Sequence, residues 1–418
     1  MPHVLFISYD GMTDPLGQSQ VIPYLSGLVK YGYRFTIISC EKKERFIKSE
    51  SRIRETLLPF QIKWIPLTYH KNPPILSAIY DLVNIKRTAK RHHKLDPFDM
   101  VHTRSGTSAL AGLWMKKKFG IRFLNDIRDF YSQSRIDSGQ WKQSNPIFRM
   151  VFQYFNKKER EALIKNDGIV CLTHKADKII KSDILYKMDV PLEVIPCSVD
   201  LNLFNPQNIN LQKKNELKNK LNFEHSDIVF TYLGSVGTWY LSKEMFSFFK
   251  AIENKISNAK FLIISPDDPN VIKRIMKEVD FKTEKTKIIS ASRSEVPLLL
   301  SLSSYSVFFI KPCFSKQASS PTKLGEIMAM GIPVITNAGV GDVKEIVEKY
   351  QAGIVLNNLK EENFKKISEN LLKMNFDSKM IIEGAKEYFN LENAVLKYKH
   401  LYDQILSLNN KRTLRKVA

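Results

Sequence analysis

The sequence predicts an α/β protein built from two doubly wound domains. Short runs rich in β-branched and aromatic residues alternate with amphipathic helical segments, which is typical of parallel sheets with crossover helices. This pattern stops at a polar stretch, residues 199–227, and then starts again. A chain of 418 residues also exceeds what one hydrophobic core usually supports.

The first half contains six predicted strands. Between the first two, Val21, Leu25 and Leu28 recur at helical spacing, and Gly32 follows as a helix stop. The predicted strands are residues 4–8, 35–39, 62–67, 100–103, 168–173 and 192–196. Together these elements predict a first domain that spans residues 1–196.

The second half has the same rhythm without an obvious sequence repeat. Its predicted strands are residues 228–234, 260–265, 287–290, 305–312, 332–337 and 352–356. They predict a second domain, residues 197–388, and residues 389–418 should form a C-terminal helix with a basic tail that returns to the first domain. Two such domains would face each other across a cleft, with ligands outside the carboxyl ends of the strands.

The charge balance predicts an anionic partner. Lys and Arg number 64 against 43 Asp and Glu, a formal net charge of +21, which suits nucleic acid, a phosphorylated substrate or an anionic membrane face. Nucleic acid is not expected, because the aromatic residues follow strand and helix patterns and no DNA- or RNA-binding signature occurs. No apolar run suits a signal peptide or a bilayer span, and the four dispersed cysteines suit a reducing compartment. We therefore expect a cytoplasmic protein.

The segment QASSPTKLGEIMAMGIPVITN holds a single acidic residue in front of a predicted buried strand. Ser320 is expected to cap a helix, with Pro321 in its first turn. The helix N-terminus, which includes Thr322 and Lys323, could bind a phosphate. Glu326, one turn further on, could accept hydrogen bonds from a ribose diol. On these residues alone, an ordinary capped helix leading into a core strand is an equally good interpretation.

The surroundings of this segment resemble the nucleotide-binding signature of the GT-B glycosyltransferases, in the large retaining family known as family 4 or group 1. LGSVGTWYLSKEM resembles the opening of that family's donor domain, and VIPCSVDLNLF resembles the turn between its two domains. SYDGMTDPLGQSQVIPYLSGLVKYGY resembles the first strand, glycine loop and helix of the acceptor domain. The resemblance covers nearly the whole chain. It implies two Rossmann-like domains, the first for the acceptor and the second for the nucleotide-sugar.

The resemblance also implies a set of donor-binding residues. Glu326 matches the second glutamate of the Glu-x7-Glu pattern, which holds the ribose, whereas the first glutamate is replaced by Ala318. The Gly-Arg-x4-Lys phosphate clamp has Ser235 in place of its arginine; Lys243 could keep part of the clamp's role at a longer spacing, and Lys323 could compensate for the arginine. The complete donor set is Gly17, Gln18, Ser235, Gly237, Lys243, Ser320, Thr322, Lys323 and Glu326.

On the acceptor side, RFLNDIRDFYSQSR matches the family's strand-end motif. Arg128 stands where many members carry histidine, and it cannot act as a base. We therefore expect Arg128 and Asp129, the predicted catalytic residues, to stabilise the phosphate or the acceptor. An Arg–Asp pair that only fixes the loop is the alternative. Gly17 and Gln18 match the glycine loop over the donor phosphates, and a plain strand–helix turn is their alternative.

The predicted function is retaining transfer of a sugar from a UDP- or GDP-sugar to a glycan or a polyprenyl-diphosphate-linked acceptor, in cell-surface polysaccharide synthesis of the O-antigen or capsule type. The resemblance implies no metal or other cofactor. Aromatic and basic residues in WKQSNPIFRMVFQYFNKKEREALIK suit peripheral contact with the anionic inner face of the plasma membrane, with a core helix as the rival interpretation. A sugar-nucleotide epimerase and a non-catalytic sugar-nucleotide-binding relative remain open alternatives.

Overall fold

A computed structural model describes residues 1–104, 106–282 and 284–417, with the backbone alone for residues 408–417. The chain forms two compact units. Unit 1 comprises Met1–Pro196 with Leu391–Ala418, and unit 2 comprises Cys197–Asn390. The side chains of the predicted basic tail lie outside the described residues.

One parallel sheet forms the centre of unit 1. Its strands are β1 His3–Ser8, β2 Arg34–Glu41, β3 Lys63–Thr68, β4 Met100–Arg104, β5 Arg122–Ile127, β6 Gly168–Cys171 and β7 Leu192–Val194. Within the described residues their order is β3-β2-β1-β4-β5-β6-β7, so the winding direction reverses between β1 and β4. The six predicted strands are confirmed. Strand β5, which contains the start of the strand-end motif, was not among the strands predicted from the apolar pattern, because Asn125 and Asp126 interrupt its apolar run.

Helices cover both faces of this sheet and of the sheet in unit 2. In chain order they are α1 Pro15–Gln20, α2 Ile22–Val29, α3 Lys43–Leu57, α4 Pro74–Leu95, α5 Gly106–Phe119, α6 Tyr131–Asp137, α7 Pro146–Lys165, α8 His174–Ser182, α9 Leu211–Lys220, α10 Ser242–Glu253, α11 Pro269–Glu278, α12 Val296–Leu300, α13 Thr322–Ala329, α14 Val343–Lys349, α15 Glu361–Asn370, α16 Ser378–Phe389 and α17 Leu391–Val417. Side chains alternate between the two faces along each strand. In unit 1, Val4 and Phe6 of β1 therefore pack with α2, α3 and α17, whereas Leu5 and Ile7 pack with α4, α5 and α7.

Unit 2 repeats this architecture. Its strands are β8 Ile228–Leu233, β9 Ala259–Ile264, β10 Thr286–Ile289, β11 Tyr305–Val307, β12 Val334–Asn337 and β13 Gly353–Leu356. Among the described residues they form one parallel sheet in the order β10-β9-β8-β11-β12-β13, so its switch point lies between β8 and β11. All six predicted strands are confirmed, although the fourth ends earlier than predicted, at Val307. The prediction of two Rossmann-like α/β domains is therefore correct.

No described helix is long and apolar enough to cross a bilayer. In the same part of the chain, no group of three or more His, Cys, Asp or Glu side chains could hold a metal ion.

Candidate functional site

A buried charged cluster lies at the switch point of unit 2. Lys323 and Glu326 are both on α13 and are only 6% and 7% exposed. Tyr232 belongs to β8, Phe308 follows β11, and the Lys323 ammonium lies 4.4 and 5.6 Å from the centroids of these two rings. Ligands of open parallel sheets bind at this point, outside the carboxyl ends of the strands. The cluster therefore occupies the place where the fold favours a ligand.

The Lys323 ammonium is packed on aromatic rings. It lies 3.8 Å from the ring centroid of Tyr240, and within the described residues its Nζ has no hydrogen-bond partner. Burial lowers the pKa of Lys323 to about 7, while the charge of Glu326 raises it. A buried ammonium without acceptors is costly. An anion bound here would supply the missing acceptor oxygens.

Glu326 is held by an arginine that sequence reasoning missed. Arg293 donates from Nη1 to Oε1 of Glu326 at 2.7 Å. Burial raises the pKa of Glu326, and the charge and hydrogen bond of Arg293 oppose this rise, as does the charge of Lys323. An ionised carboxylate can accept more than one hydrogen bond, so Glu326 keeps capacity for a ligand hydroxyl. Arg293 stands in a loop before α12, where nothing in the local pattern distinguishes it from a surface arginine.

The loop after β8 brings its backbone close to this cluster. Gly234 has a φ of +122°, and a Cβ at this position would lie 2.8 Å from the Lys323 Nζ. The glycine therefore makes room for the ammonium. Gly237 has a φ of +110° with no atom within 4 Å of the place of a Cβ, so space remains beside its backbone. Ser235 belongs to the same loop, and its carbonyl accepts a hydrogen bond from the Tyr232 hydroxyl at 2.5 Å.

The start of α13 differs from the predicted cap. The helix begins at Thr322, Pro321 is the N-cap residue, and no side chain caps the helix. Ser320 Oγ instead accepts a hydrogen bond from the backbone N–H of Cys197 at 3.2 Å. The prediction that Ser320 caps the helix is therefore wrong, because this hydroxyl holds another segment of unit 2. Thr322 and Lys323 form the first turn, where a bound anion could take the role of the cap.

The structure brings Lys323, and not Lys243, to the loop after β8. Lys243 lies on α10 with its side chain 64% exposed, and its Nζ pairs with Glu278 at 2.7 Å. With Ser235 in the arginine position of the Gly-Arg-x4-Lys pattern, the lysine position falls on Tyr240. The Lys323 ammonium lies 3.8 Å from the centroid of the Tyr240 ring. A positive charge thus reaches this loop from α13 rather than from the loop itself.

Gly17 and Gln18 lie in unit 1, on α1. A Cβ on Gly17 would lie 2.3 Å from the carbonyl oxygen of Gly11, so only glycine allows this close packing. Gln18 donates to the carbonyl of Thr13 at 3.1 Å and accepts from Arg52 at 2.7 Å. These contacts are those of a strand–helix turn, and the role of both residues over the donor phosphates stays a prediction.

Arg128 belongs to a buried polar network in unit 1. Its Nη2 donates to Asp126 Oδ2 and to the Tyr398 hydroxyl, both at 2.7 Å, and Tyr398 also donates to Asp126 at 2.9 Å. Burial would raise the pKa of Asp126, but the charge of Arg128 and the hydrogen bond from His102 hold it well below its usual range. Arg128, Asp126, His102 and Tyr398 also line a small cavity of about 10 Å³. Tyr398 was missed because it is 270 residues away in sequence from Arg128.

Asp129 lies near a second carboxyl group that sequence reasoning missed. Glu159 of α7 accepts hydrogen bonds from the backbone N–H and the hydroxyl of Ser132. Burial raises the pKa of Glu159 to about 7, the hydrogen bonds from Ser132 lower it, and the charge of Asp129 adds to the rise. A carboxyl group with such a pKa can exchange a proton near neutral pH, as acid–base chemistry requires. In the sequence, nothing distinguishes Glu159 from the surface charges of a basic helix.

Solved structures share this fold over nearly the whole chain. They include a glycosyltransferase from Rickettsia africae, with 16% identity, coverage of 97% of this chain and 99% of the other, and a TM-score of 0.71. Anabaena HepE in complex with UDP-glucose has 12% identity, coverage of 96% and 100%, and a TM-score of 0.68. WaaG, a glycosyltransferase involved in lipopolysaccharide biosynthesis, has 14% identity, coverage of 94% and 98%, and a TM-score of 0.64. The fold is that of the GT-B glycosyltransferases.

Unit 2 also matches a known protein family. Residues 213–388, nearly all of unit 2, match the family of glycosyl transferases group 1. The matched residues include Ser235, Lys323 and Glu326. Together with the shared fold, this match identifies the protein as a glycosyltransferase, as the sequence motifs predicted. A search of curated protein sequences finds no match.

Proposed function

We propose that this glycosyltransferase moves a sugar from a nucleotide-diphosphate sugar to a glycan with retention of the anomeric configuration. The observation that carries the proposal is the buried Lys323 ammonium, which has no described hydrogen-bond partner and lies beside Glu326 at the switch point of unit 2. A diphosphate would bring anionic acceptors to the ammonium, and ribose hydroxyls would donate to Glu326. The UDP-glucose bound to HepE, which shares the fold, supports a UDP-sugar, with a GDP-sugar as the other candidate donor.

In the proposed reaction, the bond from sugar C1 to the diphosphate oxygen breaks while the acceptor hydroxyl oxygen bonds to C1 from the same face. The hydroxyl proton passes to the departing phosphate oxygen. Ala318, fully buried, stands at the first glutamate position of the motif, so this position supplies no carboxylate nucleophile. Lys323 and the first turn of α13 would stabilise the charge that builds up on the diphosphate. With this charge compensation, we expect turnover without an added metal ion.

We further propose a lipid-linked acceptor, a glycan on polyprenyl diphosphate, in surface polysaccharide synthesis at the cytoplasmic face of the plasma membrane. The net charge of +21 suits an anionic surface, and the role of WaaG in lipopolysaccharide biosynthesis supports this pathway class. Arg128, Asp129 and Glu159 of unit 1 would serve the acceptor, and no nucleic-acid partner is proposed.

Incubation with UDP- and GDP-sugars in the absence of acceptor tests the proposal, with NMR detection of the anomer first released and a parallel reaction in EDTA. We expect slow hydrolysis of one donor, with the anomer retained and with EDTA having no effect. Release of the inverted anomer would contradict the mechanism. An altered sugar still attached to its nucleotide would identify an epimerase, and binding of the sugar nucleotide without turnover in the presence or absence of acceptor glycans would identify a non-catalytic protein.

A further inference from the structure

Helix α4 carries an exposed apolar stripe. Leu76, Ile79, Tyr80 and Val83 are between 37% and 65% exposed, and their spacing places them on one side of the helix. The opposite side is firmly packed, since Ser77, Asp81, Ile85 and Ala89 are buried against unit 1. The exposure of the stripe therefore does not come from loose packing of the helix.

The same outward side of α4 becomes basic in its second half. Arg87 and Arg91 are exposed, and helical spacing places them in line with Val83. Lys94 is exposed on this side as well. The helix thus presents an apolar half followed by a basic half on a single outward side.

Helix α7 has a second stripe of this kind. Ile147, Met150 and Tyr154 are between 48% and 68% exposed and share one side of the helix. Phe148 and Phe152 of the same helix are only partly exposed. The most exposed apolar residues of α7 are therefore Ile147, Met150 and Tyr154 rather than these phenylalanines.

The two stripes belong to one layer of unit 1. Helices α4, α5 and α7 cover the same face of the sheet, because Ile85, Ala111 and Ala162 all pack in one cluster with the β1 residues of that face. Burial lowers the pKa of Lys86 on α4, and the charge of Lys158 on α7 lowers it further. The two helices therefore lie near each other. Residues on the outer side of one helix layer point away from the same sheet.

We propose that the outward sides of α4 and α7 dock onto an anionic lipid bilayer. This bilayer face is defined by Leu76, Ile79, Tyr80, Val83, Arg87, Arg91, Ile147, Met150 and Tyr154. Apolar side chains beside basic ones match the interfacial region of a membrane, where acyl chains lie below negative headgroups. Charge complementarity favours anionic lipid over a second copy of this chain, because two copies of a basic surface would repel each other. The inference locates the membrane contact proposed above, but its test needs no transferase activity.

The test measures sedimentation of the full-length protein with phosphatidylcholine vesicles, with and without phosphatidylglycerol. We expect binding only to the anionic vesicles, weakening as salt rises. The double variant Arg87→Gln/Arg91→Gln should bind about 25-fold more weakly, because each basic residue near such a surface is worth about a fivefold change. Ile79→Ser/Met150→Ser should also release the protein. Matched controls on the other face of the sheet are Lys43→Gln/Lys48→Gln and Ile47→Ser, all exposed positions of α3, and these should bind like the wild type.

Three results would overturn the proposal: no binding of the wild type to anionic vesicles, equal losses in the α3 controls, or a solution dimer that Ile79→Ser/Met150→Ser converts to monomers. Nucleotide binding is measured in parallel by the thermal shift with UDP. A variant that leaves the vesicles but keeps its UDP shift supports the bilayer face. Vesicle binding without any nucleotide binding would reject the proposed donor site and leave the bilayer face standing.

Discussion

Replacing Lys323 by methionine should make the protein more stable and, at the same time, unable to bind a diphosphate well. Methionine keeps the apolar stem that packs near Tyr232 and Tyr240 but removes the buried ammonium, for which the described residues supply no acceptor. Residues that bind ligands are often costly to the unliganded fold. If Lys323 served only for packing, its replacement would not raise the stability of the protein and weaken diphosphate binding at the same time.

The size of the gain follows from the pKa of Lys323. Burial lowers it from an ordinary 10.5 to about 7, and at about 1.4 kcal/mol per pKa unit the charge costs roughly 4 kcal/mol at pH 7. The attraction of the aromatic rings offsets about 2 kcal/mol of this cost. Because the unfolded chain binds the proton more tightly, the cost is full below pH 7 and disappears as the pH rises toward 10.5. We therefore expect Lys323→Met to raise the unfolding midpoint of unit 2 by about 5 °C at pH 7, and by less at pH 9.5.

Calorimetry at the two pH values, with and without UDP, measures both effects. A ligand that binds only the folded state stabilises that state. UDP should therefore raise the unfolding midpoint of the wild type and leave the midpoint of Lys323→Met nearly unchanged. Lys273→Met is the matched control, since this exposed lysine of α11 lies on the surface of the same unit; it should behave like the wild type. A Lys323→Met protein with a lower midpoint and an intact UDP shift would refute the assignment.

Four further predictions concern the two units. Glu326→Ala should weaken UDP binding roughly 10- to 100-fold in titration calorimetry, because hydrogen bonds to a charged group are lost; unchanged affinity would reject the ribose assignment. The UDP affinity of the wild type should fall by up to about tenfold per pH unit above about pH 7, because Lys323 must take up a proton when UDP binds. Titrations in buffers of different ionisation enthalpy detect this proton uptake, and an affinity that does not change with pH would argue against it. Glu159→Gln should raise the thermal unfolding midpoint more at pH 8 than at pH 5. The pKa of Glu159 is raised to about 7 in the folded protein, so the wild type loses stability as the pH rises toward that value. An equal change at both pH values would contradict the raised pKa. Tyr398→Phe should cost about 1 to 3 kcal/mol in urea unfolding, because Asp126 loses a buried donor; a neutral effect would show that the network tolerates its loss.

Much of the fold could be predicted because its signals are local. All six predicted strands of each half occur in the structure, since buried parallel strands are short apolar runs that stand out between helices. Strand β5 was missed for the opposite reason. Its polar residues Asn125 and Asp126 are buried in unit 1, and a local pattern cannot distinguish a buried polar residue from a loop residue.

The candidate site was predictable only where one segment carries it. Lys323 and Glu326 lie three residues apart on α13, so a single segment pointed to both. Arg293 reaches Glu326 from 33 positions away in sequence, and spacing alone gave no reason to expect that pairing. The same limit explains why Ser320 does not cap α13, since tertiary packing sets its partner. It also applies to Lys243, which pairs with Glu278 and whose donor role stays a prediction.

The most direct test of the donor site is a thermal-shift comparison of UDP, GDP and CMP against the wild type and the Glu326→Ala variant. The account predicts that UDP or GDP raises the midpoint of the wild type, that CMP, which lacks a diphosphate, does not, and that the variant loses the shift. If no nucleotide stabilises the protein, or if CMP does so as well as UDP and GDP, then the buried Lys323 ammonium is not a diphosphate site.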